Sequence, residues 1–330
     1  MGGERLRIGI IGCGDLGAVH ARRFADMEGA RVVALADPDP GRLARAAEAL
    51  ADPPAVRATD YRDLLDCGLD AVCIASPDAY HVPQVLDALA ANLHVLCEKP
   101  LTLDPEALEA VVASSAEVGR VVALTYPRHY DGGLRAMRRE ILSGRWGRVT
   151  HVTVHNSEDW VSTNRGTWRH DPAICPGGFF YDASGHQIDT LFWVTGLEPV
   201  RVRAESDQAG TPVPMCVWGT ARLTGAVPMT FHVVGTARVW REQVNVHCEG
   251  MDFALDDGRA LWAKAGDMAP IEPSEPSETA DAAFVRLVRG AGPNWAPPDA
   301  ARPIVHFTRA ALESAAIPGS PEVACGAQSA

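Results

Sequence analysis

Leu6-Arg7-Ile8-Gly9-Ile10-Ile11-Gly12-Cys13-Gly14-Asp15-Leu16-Gly17 is the stretch that decides the architecture of this chain. The apolar run from Leu6 to Ile11 reads as a strand, and the periodicity from Asp15 to Met27 reads as a helix. The three glycines therefore stand at a strand-to-helix turn. Gly12 can make the tight turn, Gly14 lets a dinucleotide backbone approach with no Cβ in its way, and Gly17 permits close helix–strand packing. The first turn of the helix offers free N–H groups to a pyrophosphate. A bare G-x-G-x-x-G is common, and the flanking strand and helix give this one its weight. Gly12, Cys13, Gly14, Asp15, Leu16 and Gly17 are accordingly assigned to a cofactor site.

Outward from this loop, short apolar runs alternate with helical periodicity up to about residue 125. Strands are predicted at Arg31–Ala36, near Val56, and at Asp70–Ala75, His94–Cys97 and Val121–Leu124. Helices are predicted at Gly41–Leu50, Asp60–Leu65, Ala79–Ala91 and Pro105–Glu117. Strands joined by crossover helices predict a doubly wound parallel sheet, a Rossmann domain over residues 1–125. Asp37 ends the second strand, ~20 residues beyond the loop, where a carboxylate can accept hydrogen bonds from the adenosine ribose. A 2′-phosphate there would meet like charge, so the pattern favours NAD over NADP.

After Tyr126 the character changes to Val- and Thr-rich strands with alternating polarity, at Val149–Val154, Val200–Ala204, Met215–Leu223, Pro228–Val234 and Gln243–Cys248. Shorter strands are expected at Met251–Ala254 and Arg259–Trp262. Helices are expected at Gly133–Leu142, Tyr181–Val194, Ala280–Val288 and Asp299–Ala315, the last two closing the domain. Residues 126–317 thus read as an α+β domain for substrate binding and oligomerisation, built on a large, mostly antiparallel sheet with one open face. Such a face predicts a homodimer or homotetramer. Residues 269–279 read as a loop, and residues 318–330, without periodicity, as a frayed tail.

Composition bounds the function. Hydrophobic residues make up 47% of 330 residues, enough for a core in each half. The formal net charge of −12 argues against nucleic acid or an anionic membrane as partner. The eight cysteines are scattered with no Cys-x-x-Cys pair, which points to a reducing compartment and to no cysteine metal site. No opening signal segment and no apolar run of ~20 residues is present, so the expectation is a cytoplasmic protein.

Leu96-Cys97-Glu98-Lys99-Pro100, at the end of the fifth strand, resembles a motif of the Gfo/Idh/MocA family, the glucose–fructose oxidoreductase and inositol dehydrogenase group. Gly177-Gly178-Phe179-Phe180-Tyr181-Asp182-Ala183-Ser184-Gly185-His186-Gln187-Ile188-Asp189 is similar to that family's glycine-rich approach to an Asp-x-x-x-His helix. Tyr126-Pro127-Arg128-His129-Tyr130 follows the last Rossmann strand as a third matching segment, although His129-Tyr130 replaces a common Arg-Phe. The resemblance implies that Lys99 contacts substrate and cofactor, that His186 is the acid–base, and that Asp182 orients hydroxyls. It also implies that Glu98 and the Ser76-Pro77 loop with His81 lie along the cofactor. Oxidising a secondary alcohol needs a base and a group that steadies the developing negative oxygen. A histidine titrating at ~6.5 and a lysine suit those tasks. Asp182 and His186, four apart, would share one helix face, and Asp189 would lie on it too.

Trp160, Asn164, Arg165, Trp168 and Arg169 form an aromatic and polar cluster suited to stacking on a sugar ring and binding its hydroxyls. Tyr126, Arg128 and His155 are further candidates for the substrate wall. The reading is an NAD-dependent dehydrogenase of a sugar, cyclitol or amino sugar. Two alternatives stay open: transient oxidation by tightly held NAD for elimination, epimerisation or glycosidic cleavage, and a non-catalytic ligand sensor.

Overall fold

The computed structural model describes residues 4–264, 266–273 and 275–326. The chain forms two compact units, neither of them a single stretch of sequence. The first takes the chain up to Thr102, then Glu106–Pro127 and Glu278–Asp299, and the second takes Leu103–Pro105, Arg128–Ser277 and the chain from Ala300.

In the first unit, β1 (Leu6–Ile11), β2 (Ala30–Ala36), β3 (Val56–Ala58), β4 (Ala71–Ile74), β5 (His94–Cys97) and β6 (Val122–Leu124) form one parallel sheet. Its order is β3-β2-β1-β4-β5-β6. The helices are α1 (Asp15–Ala25), α2 (Pro40–Glu48), α3 (Arg62–Leu65), α4 (His81–Ala90) and α5 (Pro105–Val118). Every residue of β4 is buried, as a central parallel strand covered on both faces requires. α1 buries Gly17, His20, Ala21 and Phe24, one stripe at helical spacing. α2 starts with Pro40 behind Asp39, whose carboxylate accepts the Gly41 and Arg42 N–H groups. Register places the ends of β1, β4 and β5 side by side, with Ile11 opposite Ile74 and Ile74 opposite Cys97. The segments at Gly12, Ser76 and Glu98-Lys99 therefore leave the sheet at its carboxyl end.

The second unit opens with α6 (Gly132–Leu142), capped by the Asp131 side chain, and continues through β7 (Val149–Asp159), α7 (Trp160–Thr163), α8 (Gly178–Tyr181) and α9 (Gly185–Thr195). There follow β8 (Pro199–Asp207), β9 (Cys216–Leu223), β10 (Val227–Val234), β11 (Thr236–Cys248), β12 (Asp252–Asp256), β13 (Arg259–Lys264) and β14 (Asp267–Pro270). After α10 (Ala280–Val288), which belongs to the first unit, come α11 (Arg302–Ala316) and β15 (Val323–Ala324). The nine strands run β14-β13-β12-β11-β7-β10-β9-β8-β15, antiparallel except for the β7–β10 pair. Val152, Val154, Phe231, Val233, Val244 and Val246 form the buried face. On the other face Glu205, Trp218, His232, His155, Gln243 and Asp256 stand in one row across six strands. Phe307 of α11 packs its ring on Phe180, Phe192 and Phe231, with centroids 5.1–6.2 Å away.

Four features correct the sequence reading. The helix expected at Tyr181–Val194 is two helices, because Ser184 N–H reaches back to the Phe179 carbonyl and so widens the turn between them. α10, expected to close the second half, joins the first unit, where its buried face carries Asp281 to His20. The tail is structured as far as it is described: Val323 and Ala324 pair with Val202 and Arg201, and the Ser314 hydroxyl donates to the Pro321 carbonyl. Residues 327–330 of that predicted tail lie outside the described residues. Residues 267–270, partly within the expected loop, form β14 against β13.

Phe307→Ala removes the ring shared by three others and should cost about 3–5 kcal/mol. A lowered midpoint in denaturant unfolding is the expected readout.

Candidate functional site

Each unit carries a cluster that the sequence singled out. In the first, the chain turns at Gly12, whose φ of +90° no β-carbon tolerates well, and its N–H donates to the Ala36 carbonyl at 2.8 Å. A Cβ on Gly17 would stand 1.8 Å from the Gly12 carbonyl oxygen, so the start of α1 presses directly on the turn. A Cβ on Gly14 would meet nothing within 4 Å. No side chain caps α1, and Asp15 and Leu16 at its first turn are exposed, so the N–H groups there face open space. Asp37 is buried, and its Oδ2 accepts the Cys13 N–H at 2.8 Å while its Oδ1 accepts the Asp39 N–H at 2.9 Å. An ionised carboxylate has about four acceptor positions. Asp37 can thus brace the loop and still receive a ribose hydroxyl. An open cradle at Gly14, unspent helix N–H groups and this carboxylate fit a dinucleotide.

The next two strand ends are joined through His81. Its Nδ1 lies 2.8 Å from the Pro100 carbonyl and its Nε2 2.8 Å from the Ser76 carbonyl. Burial pushes its pKa down. The neutral ring has one N–H to donate, to either the Pro100 or the Ser76 carbonyl, and its position between them packs His81 against both the Ser76-Pro77 and the Lys99-Pro100 segments. The Ser76 hydroxyl donates to Gln84 at 2.6 Å. Glu98 is also turned inward, with Oε1 2.9 Å from His20 Nε2 and Oε2 accepting the Lys99 N–H at 3.2 Å. Lys99 follows β5 through a cis peptide to Pro100. His20 itself sits 2.6 Å from Asp281, which also holds Arg23 at 3.1 Å. Sequence reading missed Asp281, and no local pattern links residues 261 positions apart.

In the second unit, Gly178 at φ +52° brings the chain so near Pro214 that a Cβ would stand 2.3 Å from its carbonyl oxygen. Asp182 caps the end of α8, and its Oδ2 receives Arg169 Nε at 2.8 Å. His186 lies in the first turn of α9, half-buried, with Nδ1 inside. The Asp182–His186 pair therefore spans a helix break, not one helix face. Asp189 accepts from His129 Nε2 at 2.9 Å in the core, and His129 stacks on Trp193 at 4.3 Å.

Several expected wall residues sit elsewhere. Trp160 is buried against Phe179, with centroids 5.7 Å apart. The Asn164 amide is spent on the Trp160 carbonyl and Thr163. Arg128 pairs with Glu242, whose other oxygen accepts from Gln187 at 2.6 Å in the interior. His155 lies on the open sheet face, 4.3 Å from the His232 ring, while its neighbour Asn156 contacts Ser184 on the helix-covered face. Burial and the His232 ring beside it push the pKa of His155 down. Tyr126 is buried in the first unit. Trp168 lies under the Arg169 guanidinium at 4.4 Å, and Arg165 is exposed.

One signal was available and unread. Of thirty cationic side chains, only Lys99 and Lys264 are lysine and the other twenty-eight are arginine. A chain that uses arginine almost everywhere keeps a primary amine at Lys99, and the two are not interchangeable where a compact, titratable charge is needed.

Comparison with known proteins bears on the family and the fold. The family model described as "Oxidoreductase family, NAD-binding Rossmann fold" matches residues 6–126, and the GFO/IDH/MocA C-terminal domain matches residues 134–253. Inositol 2-dehydrogenase 2 of Saccharopolyspora erythraea is 36% identical over 203 residues, which are 61% of this chain and 57% of that protein. Inositol 2-dehydrogenase of Burkholderia multivorans is 36% identical over 198 residues, 59% of this chain and 56% of that protein. The matched stretch thus spans less than two thirds of these relatives. Among solved structures, an oxidoreductase domain protein from Kribbella flavida superposes with a TM-score of 0.84 at 21% identity, covering 98% of this chain and all of that one. Apo scyllo-inositol dehydrogenase from Lactobacillus casei does so at 0.80 and 20% identity, covering 99% of this chain and all of that one. At these identities the structures establish a shared fold.

Gly17→Ala should force the Gly12 turn open. Dinucleotide affinity, read by calorimetric titration, should fall by about tenfold or more, at least ~1.4 kcal/mol.

Proposed function

The chain belongs to the Gfo/Idh/MocA oxidoreductase family, and from that premise we propose that it is an NAD-dependent dehydrogenase of a secondary hydroxyl on a cyclitol or sugar. The observation that carries the reading is Lys99, a lysine in a chain of arginines, placed at the sheet end where the dinucleotide loop lies. A nicotinamide dinucleotide held by the Gly12–Gly17 loop and Asp37 would supply the acceptor for a hydride from the substrate carbon. Lys99 supplies a compact positive charge to the substrate oxygen as its proton departs. His186 takes that proton. Asp182, held by Arg169, orients neighbouring hydroxyls. Asp37 receives the ribose hydroxyls and repels a 2′-phosphate, which favours NAD over NADP. The names of the two inositol dehydrogenase relatives support a cyclitol as the first substrate to try.

We further infer self-association through the open face of the large sheet. Trp218, 41% exposed, stands there between Glu205 and His232, with Arg203 alongside Thr220, so the face mixes apolar surface with both signs of charge. A second copy of the chain meets such a surface on equal terms. The free cysteines suit a reducing cytoplasm.

Purified protein incubated with NAD+ and a panel of inositols, aldoses and amino sugars should accumulate reduced cofactor with one class. Lys99→Ala, Lys99→Arg and His186→Ala should each lower kcat by about 10²–10⁴-fold. Arginine keeps the charge but neither the compact amine nor its proton exchange, so full activity in Lys99→Arg would remove the main support for the reading. Product formed without reduced cofactor would point to transient oxidation instead. Light scattering should give a mass above one chain, lowered towards one chain by Trp218→Glu.

A further inference from the structure

The first unit contains a line of alternating charge that the proposed reaction does not use. Arg23 Nη1 lies 3.1 Å from Asp281 Oδ2, Asp281 Oδ1 lies 2.6 Å from His20 Nδ1, and His20 Nε2 lies 2.9 Å from Glu98 Oε1. Glu98 Oε2 then accepts the main-chain N–H of Lys99, which the Thr125 hydroxyl also approaches at 3.3 Å. His20 is 3% exposed, Glu98 8% and Asp281 not at all. Both ring nitrogens of His20 face carboxylate oxygens, and only the imidazolium can donate at both. Burial works against that cation, while Cys73, Asp281 and Glu98 each raise the pKa, and the net direction is upward; the two carboxylate oxygens at 2.6 and 2.9 Å are what call for a proton on each ring nitrogen. Burial pushes the pKa of Cys73, beside the same ring, up, and His20 pulls it down. Glu98, despite burial, is held below the usual carboxylate range by His20 and Lys99.

We propose that His20 is the positioning residue of Lys99: clamped as an imidazolium between Asp281 and Glu98, it fixes the carboxylate that holds the Lys99 main chain. The proposal rests on the role assigned to Lys99 above. A neutral ring could donate to one carboxylate only and would leave the other buried and underbonded. Glu98 would then turn or take up a proton, and the Lys99 N–H would lose its carboxylate acceptor and keep the Thr125 hydroxyl. A lysine whose main chain shifts carries its amine out of line with the substrate oxygen. Misplacement of that kind costs rate more than affinity.

The scarcity of lysine makes this measurable without any substrate. Full-length protein labelled with 15N-lysine gives two main-chain amide signals, Lys99 and Lys264, and Lys264→Arg assigns them. In His20→Gln the Lys99 amide should move and the Lys264 amide should stay. With NAD+ and the alcohol substrate, kcat should fall on the order of tenfold to a hundredfold. KM and the dinucleotide Kd should hold. His20→Gln combined with Asp281→Asn, in which the two amides satisfy each other and one N–H still reaches Glu98, should recover the amide position and much of kcat. An unmoved Lys99 amide overturns the proposal, as does a moved amide with unchanged kcat. If the wild-type chain turns over no substrate, the dehydrogenase reading fails by itself, and the amide signals still decide whether His20 holds Lys99. Should His20→Gln not fold, the unaltered chain carries the test through its histidine ring nitrogens. Both nitrogens of His20 should stay protonated wherever the protein is folded, and titration near the free value of about 6.5 would refute the clamp.

Discussion

The missing side chain of Gly17 is the contact on which the first unit is built. Any Cβ there would stand 1.8 Å from the Gly12 carbonyl oxygen, so α1 begins flush against the turn that ends β1. Its N–H groups then face the cradle above Gly14, and Asp37 locks the same loop from the side through Cys13. One turn further along α1, the helix lays His20 against Glu98 at the end of β5. A steric fact at one glycine thus sets the dinucleotide loop and the start of the Lys99 segment together.

Both units place charge in their interiors, and in both it serves geometry. Arg23–Asp281–His20–Glu98 in the first unit and Arg128–Glu242–Gln187 in the second are nearly closed sets, with each buried carboxylate met on both oxygens. Such sets add little net stability compared with an apolar core of the same volume. Removing one member is another matter, costing on the order of 3–5 kcal/mol because a partner is left charged and dry. That asymmetry keeps orientation fixed: Glu98 has one place to be, and so has the main chain it holds. His81 also sits between two loops, with one N–H to share between their carbonyls.

What could be read from sequence was what local spacing encodes. The glycine turn, Asp37, the parallel order and the open-faced sheet follow from patterns a few residues long, and so does Lys99 at a strand end. Trp160 and Tyr126 are buried and Arg128 is held by Glu242, and residue type alone does not say which side chains are so engaged. His155 could have been placed, since Val152 and Val154 set the buried phase of β7 and position 155 falls outside it. The helix break after Asp182 depends on Phe179 and Ser184 meeting through a widened turn, and the tail strand depends on the free edge of β8. Asp281 was out of reach because its partner is paired by the fold and not by the sequence.

The return of residues 278–299 to the first unit gives the protein a history as well as a shape. A ribosome delivers Glu98 early and Asp281 late, after the whole of residues 128–277. At ordinary elongation rates the interval is on the order of ten seconds or more. During that time His20 has one carboxylate to its name, and the nucleotide-binding unit exists as a draft with its sheet in place and its charge unbalanced. The last helix to arrive completes it. A gene fragment ending after β6 would lack Asp281 and encode that draft permanently.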